Sequence, residues 1–338
     1  MGIELTSEQE RLASIVARFA GRKVVVVGDL VADQFLYGEI SRVSREAPVF
    51  ILRHERTETV PGGAANCAVN LASLGARVSL LGVVGDDEAG RVLLKKLSDA
   101  RVDSDGVIIV PGSRTTTKVR VLAGQAHSTR QQVIRVDYEP ETLEDKEVLE
   151  RLRARFHEEA EDSDAAIISD YNYGVACELV AKGVRDATQK RGIPVLVDSR
   201  FHLSLFPNFT SATPNEDEVE QLIGRKLADA ASLKEAGAAL REQLGYEALL
   251  ITRGGRGLML FEERAEPLQL DAVGASEPVD GTGAGDTVIA AYALAIASGA
   301  TFEDAARLAN HAGGLVVMKR GTASVNRAEL LASIKGNN

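Results

Sequence analysis

Hydrophobic positions along this chain fall into two kinds of segment that take turns. Short apolar runs, interrupted by Lys23 at the start of the first and Ser79 in the second, occupy residues 23–27, 78–84, 165–168, 195–197 and 248–251, and between them lie longer stretches of helical apolar spacing. An apolar run of that length suits a strand buried on both faces, and the longer period suits a helix laid against it. Strand then helix, repeated, predicts an α/β fold: a doubly wound, mostly parallel sheet with helices on both faces. At the start, Ser7-x-x-Glu10 has the spacing of a capping box, and Leu12, Ile15, Val16 and Phe19 follow at helical spacing. A surface helix docked by its apolar stripe is expected there. Further helices are expected from Ala64 to a stop at Gly75, up to about 100, over about 143–161, up to about 191, and after Asn215.

Two blocks break the alternation. Residues 35–58 are charged and turn-rich around one strand-like run at 48–53, and residues 107–110, 115–122 and 132–136 form a strand-rich block. Together they predict a small β lid, made of segments at about 34–60 and 112–137 inserted into a single domain spanning 1–338. No internal repeat, low-complexity segment or interdomain linker is visible.

The apolar runs end on polar residues: Asp29, Asp86, Asp170, Asp198, Asn215 and Thr252. In open α/β sheets ligands bind beyond the carboxyl ends of the strands, so these residues are expected along one edge. Helix capping would account for some of them, but not for two glycine-rich turns in the same chain. In Pro61-Gly62-Gly63-Ala64-Ala65-Asn66 the glycine pair permits close backbone approach to a ligand, and Asn66 offers a donor and an acceptor. The second turn, Val279-Asp280-Gly281-Thr282-Gly283-Ala284-Gly285-Asp286-Thr287, leads straight into the apolar run 288–298. Such a loop turns N–H groups inward, and the helix start adds partial positive charge, which suits a transferring phosphate. Asp286 sits at its mouth, where N–H donors are expected to keep it ionised. It could then accept a proton from an attacking hydroxyl; on this motif alone, a plain capping role stays open.

Composition narrows the classes. With 338 residues, 45% of them hydrophobic, the chain can bury a full α/β core. Its net charge of −10, without a long basic run, argues against a nucleic-acid or anionic-membrane partner and for a small-molecule one. Two cysteines, Cys67 and Cys177, suit a reducing compartment, and the five histidines show no metal-ligand spacing. The start lacks a signal-peptide pattern and no apolar run is long enough to span a bilayer, so a soluble cytoplasmic protein is expected. No GxGxxG follows the first strand, and GxxxxGK[ST], GxSxG, HExxH and CxxC are absent. Phosphoryl transfer by loop backbone, aspartate and Mg²⁺ best matches what is present.

The two turns resemble the signatures of the ribokinase-like (PfkB) carbohydrate kinases, 280–286 the C-terminal one and 62–66 the N-terminal one, and the resemblance extends over nearly the whole chain. It implies a ribokinase-like fold, ATP and Mg²⁺ as cofactors, and transfer of the γ-phosphoryl to a sugar hydroxyl. Asp286 would be the base, with Gly283, Ala284 and Gly285 as the anion hole. Asp29, Asp33, Gly62, Gly63 and Asn66 would hold sugar hydroxyls. Asn215-x-x-Glu218 would order Mg²⁺ and phosphates through water, Thr252-x-Gly254-x-x-Gly257 resembles the nucleotide loop, and Asn310 falls on the adenine side. Asp280 and Thr282 match positions that bind a monovalent cation, K⁺, in some members.

A narrower resemblance is to the D-glycero-β-D-manno-heptose-7-phosphate kinases. It rests on Tyr37-Gly38, Ser41-Arg42-Val43-Ser44-Arg45-Glu46-Ala47-Pro48-Val49, Thr117-Lys118-Val119-Arg120-Val121 and Gln131-Gln132-Val133-Ile134-Arg135-Val136-Asp137. It implies transfer to O1 of D-glycero-D-manno-heptose 7-phosphate, in ADP-heptose and lipopolysaccharide precursor synthesis. Lys118, Arg120 and Asp170 then join the substrate side, and Arg42, Arg45 and Arg135 lie in the same lid blocks, where a phosphate needs charged donors. Three departures stand out: Ser199-Arg200 where many such kinases have proline and lysine, Asp170-Tyr171-Asn172-Tyr173-Gly174 without the usual Ala-Lys, and a longer lid connection from Ala123 to Arg130. Bifunctional relatives continue into a nucleotidyltransferase; no HxGH is present, so a kinase-only chain is expected. The alternatives are a PfkB kinase for fructose, ribose or a hexose phosphate, and a non-catalytic sugar- or nucleotide-binding regulator. A homodimer paired through its lids is the expected assembly.

Overall fold

The computed structural model describes residues 6–124, 130–274 and 278–336, so most of the lid connection from Ala123 to Arg130 lies outside the described residues. Helix α1 (Ser7–Ala17) leads to strands β1 (Lys23–Gly28), β2 (Leu30–Val43) and β3 (Phe50–Gly63), then helix α2 (Ala64–Ser73). Next come β4 (Arg77–Gly85), α3 (Glu88–Asp99), β5 (Asp103–Val110), β6 (Thr117–Gly124), β7 (Gln131–Tyr138) and α4 (Lys146–Ala160). Strand and helix then alternate through β8 (Ala165–Asp170), α5 (Glu178–Thr188), β9 (Val195–Ser199), β10 (Ser211–Ala212), α6 (Glu216–Ile223) and α7 (Ala230–Leu244). Strands β11 (Ala248–Thr252), β12 (Leu258–Glu262) and β13 (Leu268–Leu270) precede helices α8 (Ala284–Ala297), α9 (Phe302–Val316) and α10 (Arg327–Ile334).

The apolar runs do what burial on both faces requires. Along β1, Val24 and Val26 enter one core while Val25 and Val27 enter the other. Strand β8 divides the same way, Ala165 and Ile167 against Ala166 and Ile168. Nine strands in the order β13-β12-β11-β10-β9-β8-β1-β4-β5 make the main sheet, all running one way except β12, which pairs antiparallel with both β11 and β13. The chain winds from β1 to β4 and β5 on one side, then returns to β8 on the other. The β1–β8 seam is thus the point where the winding reverses, and connections diverging there open a crevice at the strands' carboxyl ends. Helix α8, apolar all round and buried from Asp286 to Ala295, lies inside the molecule between α2 and α9. No described helix is long and apolar enough to cross a membrane.

Directly after Asp29 the chain climbs into a second sheet, ordered β3-β2-β6-β7. The lid segments expected at about 34–60 and 112–137 fall within these strands, whose ends at Leu30, Gly63, Thr117 and Tyr138 root the sheet beside the crevice. Residues 107–110 belong elsewhere. They lie in β5, which follows the α3 crossover and pairs in parallel with β4, Val107 opposite Gly82. The first capping box is also displaced by one residue. Thr6, in extended conformation, accepts from Gln9 N while Gln9 Oε1 accepts from Thr6 N.

The β11–β12 connection depends on Gly257. Its φ is +81°, and a Cβ there would come 2.0 Å from Leu270 O. Gly257→Ala is therefore expected to lower the unfolding free energy by about 2–4 kcal/mol through backbone strain and overpacking, measured by denaturant titration.

Candidate active site

Two helix N-termini and the β1–β8 seam converge on one carboxylate. Asp286, 3% exposed, lies in the first turn of α8. From the first turn of α2, Asn66 Nδ2 donates to Asp286 Oδ2 at 2.7 Å, and the Tyr171 hydroxyl donates to Oδ1 at 2.8 Å. The Asn66 amide is itself oriented. Asn70, one turn along α2, donates to Asn66 Oδ1 at 3.1 Å, and Thr287 Oγ1 donates to Asn70 Oδ1 at 3.0 Å. With its oxygen occupied, Asn66 turns its NH₂ to the carboxylate. Gly283 makes room: at φ +75°, a Cβ on it would lie 2.6 Å from Asn66 Nδ2.

Burial pushes Asp286 up to about 7, against Asn66 and Tyr171, which favour the charged form. Asp33 adds to the rise and Lys118 opposes it. The sequence reading of a fully ionised carboxylate weighed the donors but not the desolvation. Of the expected anion-hole residues, Ala284 donates its N–H back to Gly281 O at 3.2 Å, while Gly285 faces open space.

On the lid side, Asp33 of β2 pairs with Arg120 of β6. Gly62 lies against this pair; a Cβ there would approach Asp33 Oδ2 to 2.4 Å. Gly63, the N-cap of α2, has no room for a side chain beside Asp29 O. Lys118 is buried with Nζ 5.7 Å and 5.6 Å from the ring centroids of Tyr171 and Tyr173. Burial, then Arg200, pull its pKa down; Asp33 and Asp137 push it up, and Arg135 pulls it further down.

Two aspartates expected to meet sugar are occupied by the chain instead. Asp29 Oδ2 accepts the N–H groups of Tyr171 and Tyr173 at 2.8 Å and 3.0 Å, and Oδ1 accepts that of Val175 at 3.0 Å. Asp170 accepts from Asn172 N at 2.8 Å and Ser199 Oγ at 2.6 Å, tying β8 to β9. Both are loop clamps, because a buried carboxylate at a strand end meets the nearest N–H groups first. Arg42 and Arg45 are exposed at the β2–β3 tip, and Arg135 is engaged by Asp137 at 2.9 Å.

The remaining expected residues lie at the ends of β10 and β11, before α8 and in α9. Asn215 and Glu218 form the capping box of α6, Glu218 N donating to Asn215 Oδ1 at 2.9 Å and Asn215 N to Glu218 Oε2 at 2.8 Å. Thr252 is bridged to Asn215, and the adjoining Arg253 pairs with Glu216 at 2.8 Å. Burial and then Glu218 hold Asp198 well above the usual carboxylate range, and burial raises Glu218. Gly254 faces open space at φ +55°, whereas Gly257, at φ +81°, is packed against Leu270 O. Asn310 Nδ2 donates to Asp271 O at 2.7 Å. Asp280, expected with Thr282 to hold a monovalent cation, accepts from Thr282 N and Gly321 N, each at 2.9 Å. It braces the turn before α8.

A base candidate at a helix N-terminus, a cationic lid and carboxylates across the same crevice form one arrangement. The sequence profile of the pfkB family of carbohydrate kinases matches residues 22–329. The chain belongs to that family. It is similar to the bifunctional protein HldE of Caulobacter vibrioides, 40% identical over 326 residues that cover 96% of this chain and 65% of the relative. It is likewise 41% identical to HldE of Psychromonas ingrahamii over 315 residues, 92% of this chain and 63% of that protein. The chain thus spans just under two thirds of the length of these relatives. Among solved structures, phosphofructokinase-2 from Escherichia coli with substrates and products superposes with a TM-score of 0.76 at 21% identity, covering 93% of this chain and 98% of that one. Ribokinase of Arabidopsis thaliana with ribose and ATP gives 0.71 at 24%, covering 94% and 99%. The fold of this pfkB-family kinase is therefore ribokinase-like.

The sequence assigns no site role to Tyr171, Asn70 or Arg200, and places Asp198 only among the strand-end residues of the ligand-binding edge. The rule that picked strand-end residues stopped at Asp170, one position short of Tyr171. Asn70 was visible as a polar residue one turn beyond Asn66 on an otherwise apolar helix.

A carboxyl raised by burial binds a proton more tightly folded than unfolded. The wild type is thus favoured below its unfolded value of 3.8 and loses that stability as pH rises through about 7. Asp286→Asn, which never ionises, is expected to be more stable than wild type by about 2–4 kcal/mol at pH 8, and the advantage should vanish near pH 4. Chemical denaturation across that range measures it.

Proposed function

We propose that this pfkB-family kinase transfers the γ-phosphoryl of ATP to O1 of D-glycero-D-manno-heptose 7-phosphate, a step of ADP-heptose formation. The observation that carries the phosphorylated acceptor is Lys118. A buried ammonium pressed toward neutrality by burial and Arg200, with Arg120 and Arg135 on the same lid strands, is relieved by an anion. The relatives named HldE and the lid segments 117–121 and 131–137 point to a heptose phosphate within that class.

In this reading Asp286 accepts the proton of the sugar hydroxyl as its oxygen bonds to the γ-phosphorus. The bond from that phosphorus to the β–γ bridging oxygen breaks, giving a sugar phosphate, ADP and a proton. The N-terminus of α8 faces the charge gathering on the transferred group. Asp198 and Glu218 fit a divalent cation, since Glu218 disfavours the charge on Asp198, which a cation would relieve, and both are hard oxygen donors. No group of three or more ligating side chains occurs among the described residues, so phosphates and water would complete the shell. When bound, Mg²⁺ would neutralise phosphate charge.

Three measurements test this. Sugar-dependent ADP release should be confined to the heptose phosphate in a panel with fructose, ribose, fructose 6-phosphate and sedoheptulose 7-phosphate. Asp286→Asn should lower kcat by about 10²–10⁴-fold with ATP binding retained. Lys118→Met should raise KM for the sugar phosphate at least about tenfold and leave that for ATP unchanged. Turnover on a neutral sugar would overturn the assignment of the lid cations. Silence on every sugar with nucleotide still bound would favour a regulator.

The lid also fits self-association. Phe50, Val133, Ile134 and Tyr138 are at least 47% exposed, an apolar set on strands with a free edge. A second copy pairing through the lids would cover them. Light scattering should give a dimer for wild type and a monomer for the Val133→Glu, Ile134→Glu double variant; a monomeric wild type would end the idea.

A further inference from the structure

We infer that Tyr171, held in place by Asp29, is a positioning residue for the base: it fixes the orientation of Asp286 and sets the pH at which that carboxylate accepts a proton. The inference rests on reading Asp286 as the base and adds a component that neither signature motif contains.

Three observations carry it. The first is the contact itself, a phenol hydroxyl 2.8 Å from Asp286 Oδ1, opposite Asn66 on Oδ2. Two donors on two oxygens hold the carboxylate plane against rotation, which a single donor would not. The second is the anchor. Tyr171 follows β8 directly, and its loop would be free to move were it not sewn to the end of β1 by Asp29, which receives the N–H groups of Tyr171, Tyr173 and Val175. Asp29 is 1% exposed, and three donors on one buried carboxylate leave it little other work. The third is the packing of the ring. A Cβ on Gly63 would lie 3.4 Å from Tyr171 Cδ2, and Lys118 Nζ stands 5.7 Å from the ring centroid. A cation near the ring draws electron density from the phenol and makes its hydroxyl a better donor. Burial and then Asp286 hold the Tyr171 phenol far above its ordinary value, so it stays a donor throughout the working range.

The charged and titratable groups facing Asp286 are few. Asp33 and Lys118 come from the lid, Cys67 from α2, Asp198 from β9 and Tyr171 from the β8–α5 loop. Removing the Tyr171 hydroxyl changes one of them and leaves the ring.

Tyr171→Phe is the test, read in two ways. In the pH profile of kcat/KM for the sugar acceptor, the acidic limb should move up by about one to two pH units, the effect of losing one hydrogen bond to a charged group. Activity should then be about tenfold or more lower at pH 7 and return to within a few-fold of wild type above pH 9, with KM for ATP unchanged. Independently of turnover, the ¹³C resonance of the Asp286 carboxyl, assigned by its loss in Asp286→Asn, should titrate higher by the same amount. Asp29→Asn keeps the phenol but weakens its anchor, and should shift the same limb in the same direction. An unmoved limb and an unmoved carboxyl titration in Tyr171→Phe would overturn the inference. A shift in Tyr171→Phe without one in Asp29→Asn would overturn the anchoring role. A shifted carboxyl titration in a protein that phosphorylates no sugar would uphold the positioning and refute the kinase reading.

Discussion

A carboxylate withdrawn from water must receive its hydrogen bonds from the protein, and much of this molecule's local design follows from meeting that demand at Asp286. Left alone in the interior the group would be protonated, and a protonated acid cannot take a proton. Asn66 and Tyr171 supply one donor to each oxygen. The arrangement then propagates outward. Asn66 needs Asn70 and Thr287 to fix its amide, Gly283 must be glycine to leave it room, and Tyr171 needs Asp29 to hold its loop. Residues from α2, α8, β1 and the β8–α5 loop are thereby committed to the state of one side chain.

The lid enters the same balance from above. Asp33 and Lys118, on neighbouring strands β2 and β6, act on Asp286 with opposite sign. Arg120 pairs with Asp33 and offsets its charge, so the balance near the base tilts toward the cation. Because both charges ride on a sheet that springs from the end of β1, their influence depends on where the lid stands. Position of the lid and proton affinity of Asp286 are coupled through ordinary Coulombic interaction at low dielectric.

Much of this was legible in the sequence. The short apolar runs, the glycine turns and the polar strand ends located the sheet, the crevice and Asp286. What stayed hidden were partnerships across long separations. Asp29 and Asp170 look, as letters, like ligands beside a crevice; only the fold reveals that N–H groups near 170 reach Asp29 first. Tyr171 reads as the aromatic after a strand, and nothing local tells that its hydroxyl meets a residue 115 positions away. The ionised state expected for Asp286 failed for a related reason. Hydrogen-bond donors can be inferred from a motif, but desolvation is a property of everything packed around it. The misplacement of residues 107–110 has a different origin, since a short β-branched run does not state which sheet it joins.

The distribution of charge says how an acidic chain can handle polyanions. The net charge is −10, and the crevice floor adds Asp29, Asp170, Asp198, Glu218 and Asp286. A nucleotide phosphate approaching that floor alone would be repelled. Two sources of positive charge offset the repulsion: the N-terminus of α8 from below and the Lys118, Arg120 and Arg200 group from the side. A divalent cation between Asp198 and Glu218 would supply a third. No one of these suffices, because each sits beside at least one carboxylate that opposes it. On the proposed function, a transferring phosphoryl would be favoured where all three fields overlap, and the carboxylates elsewhere would disfavour anions away from that point.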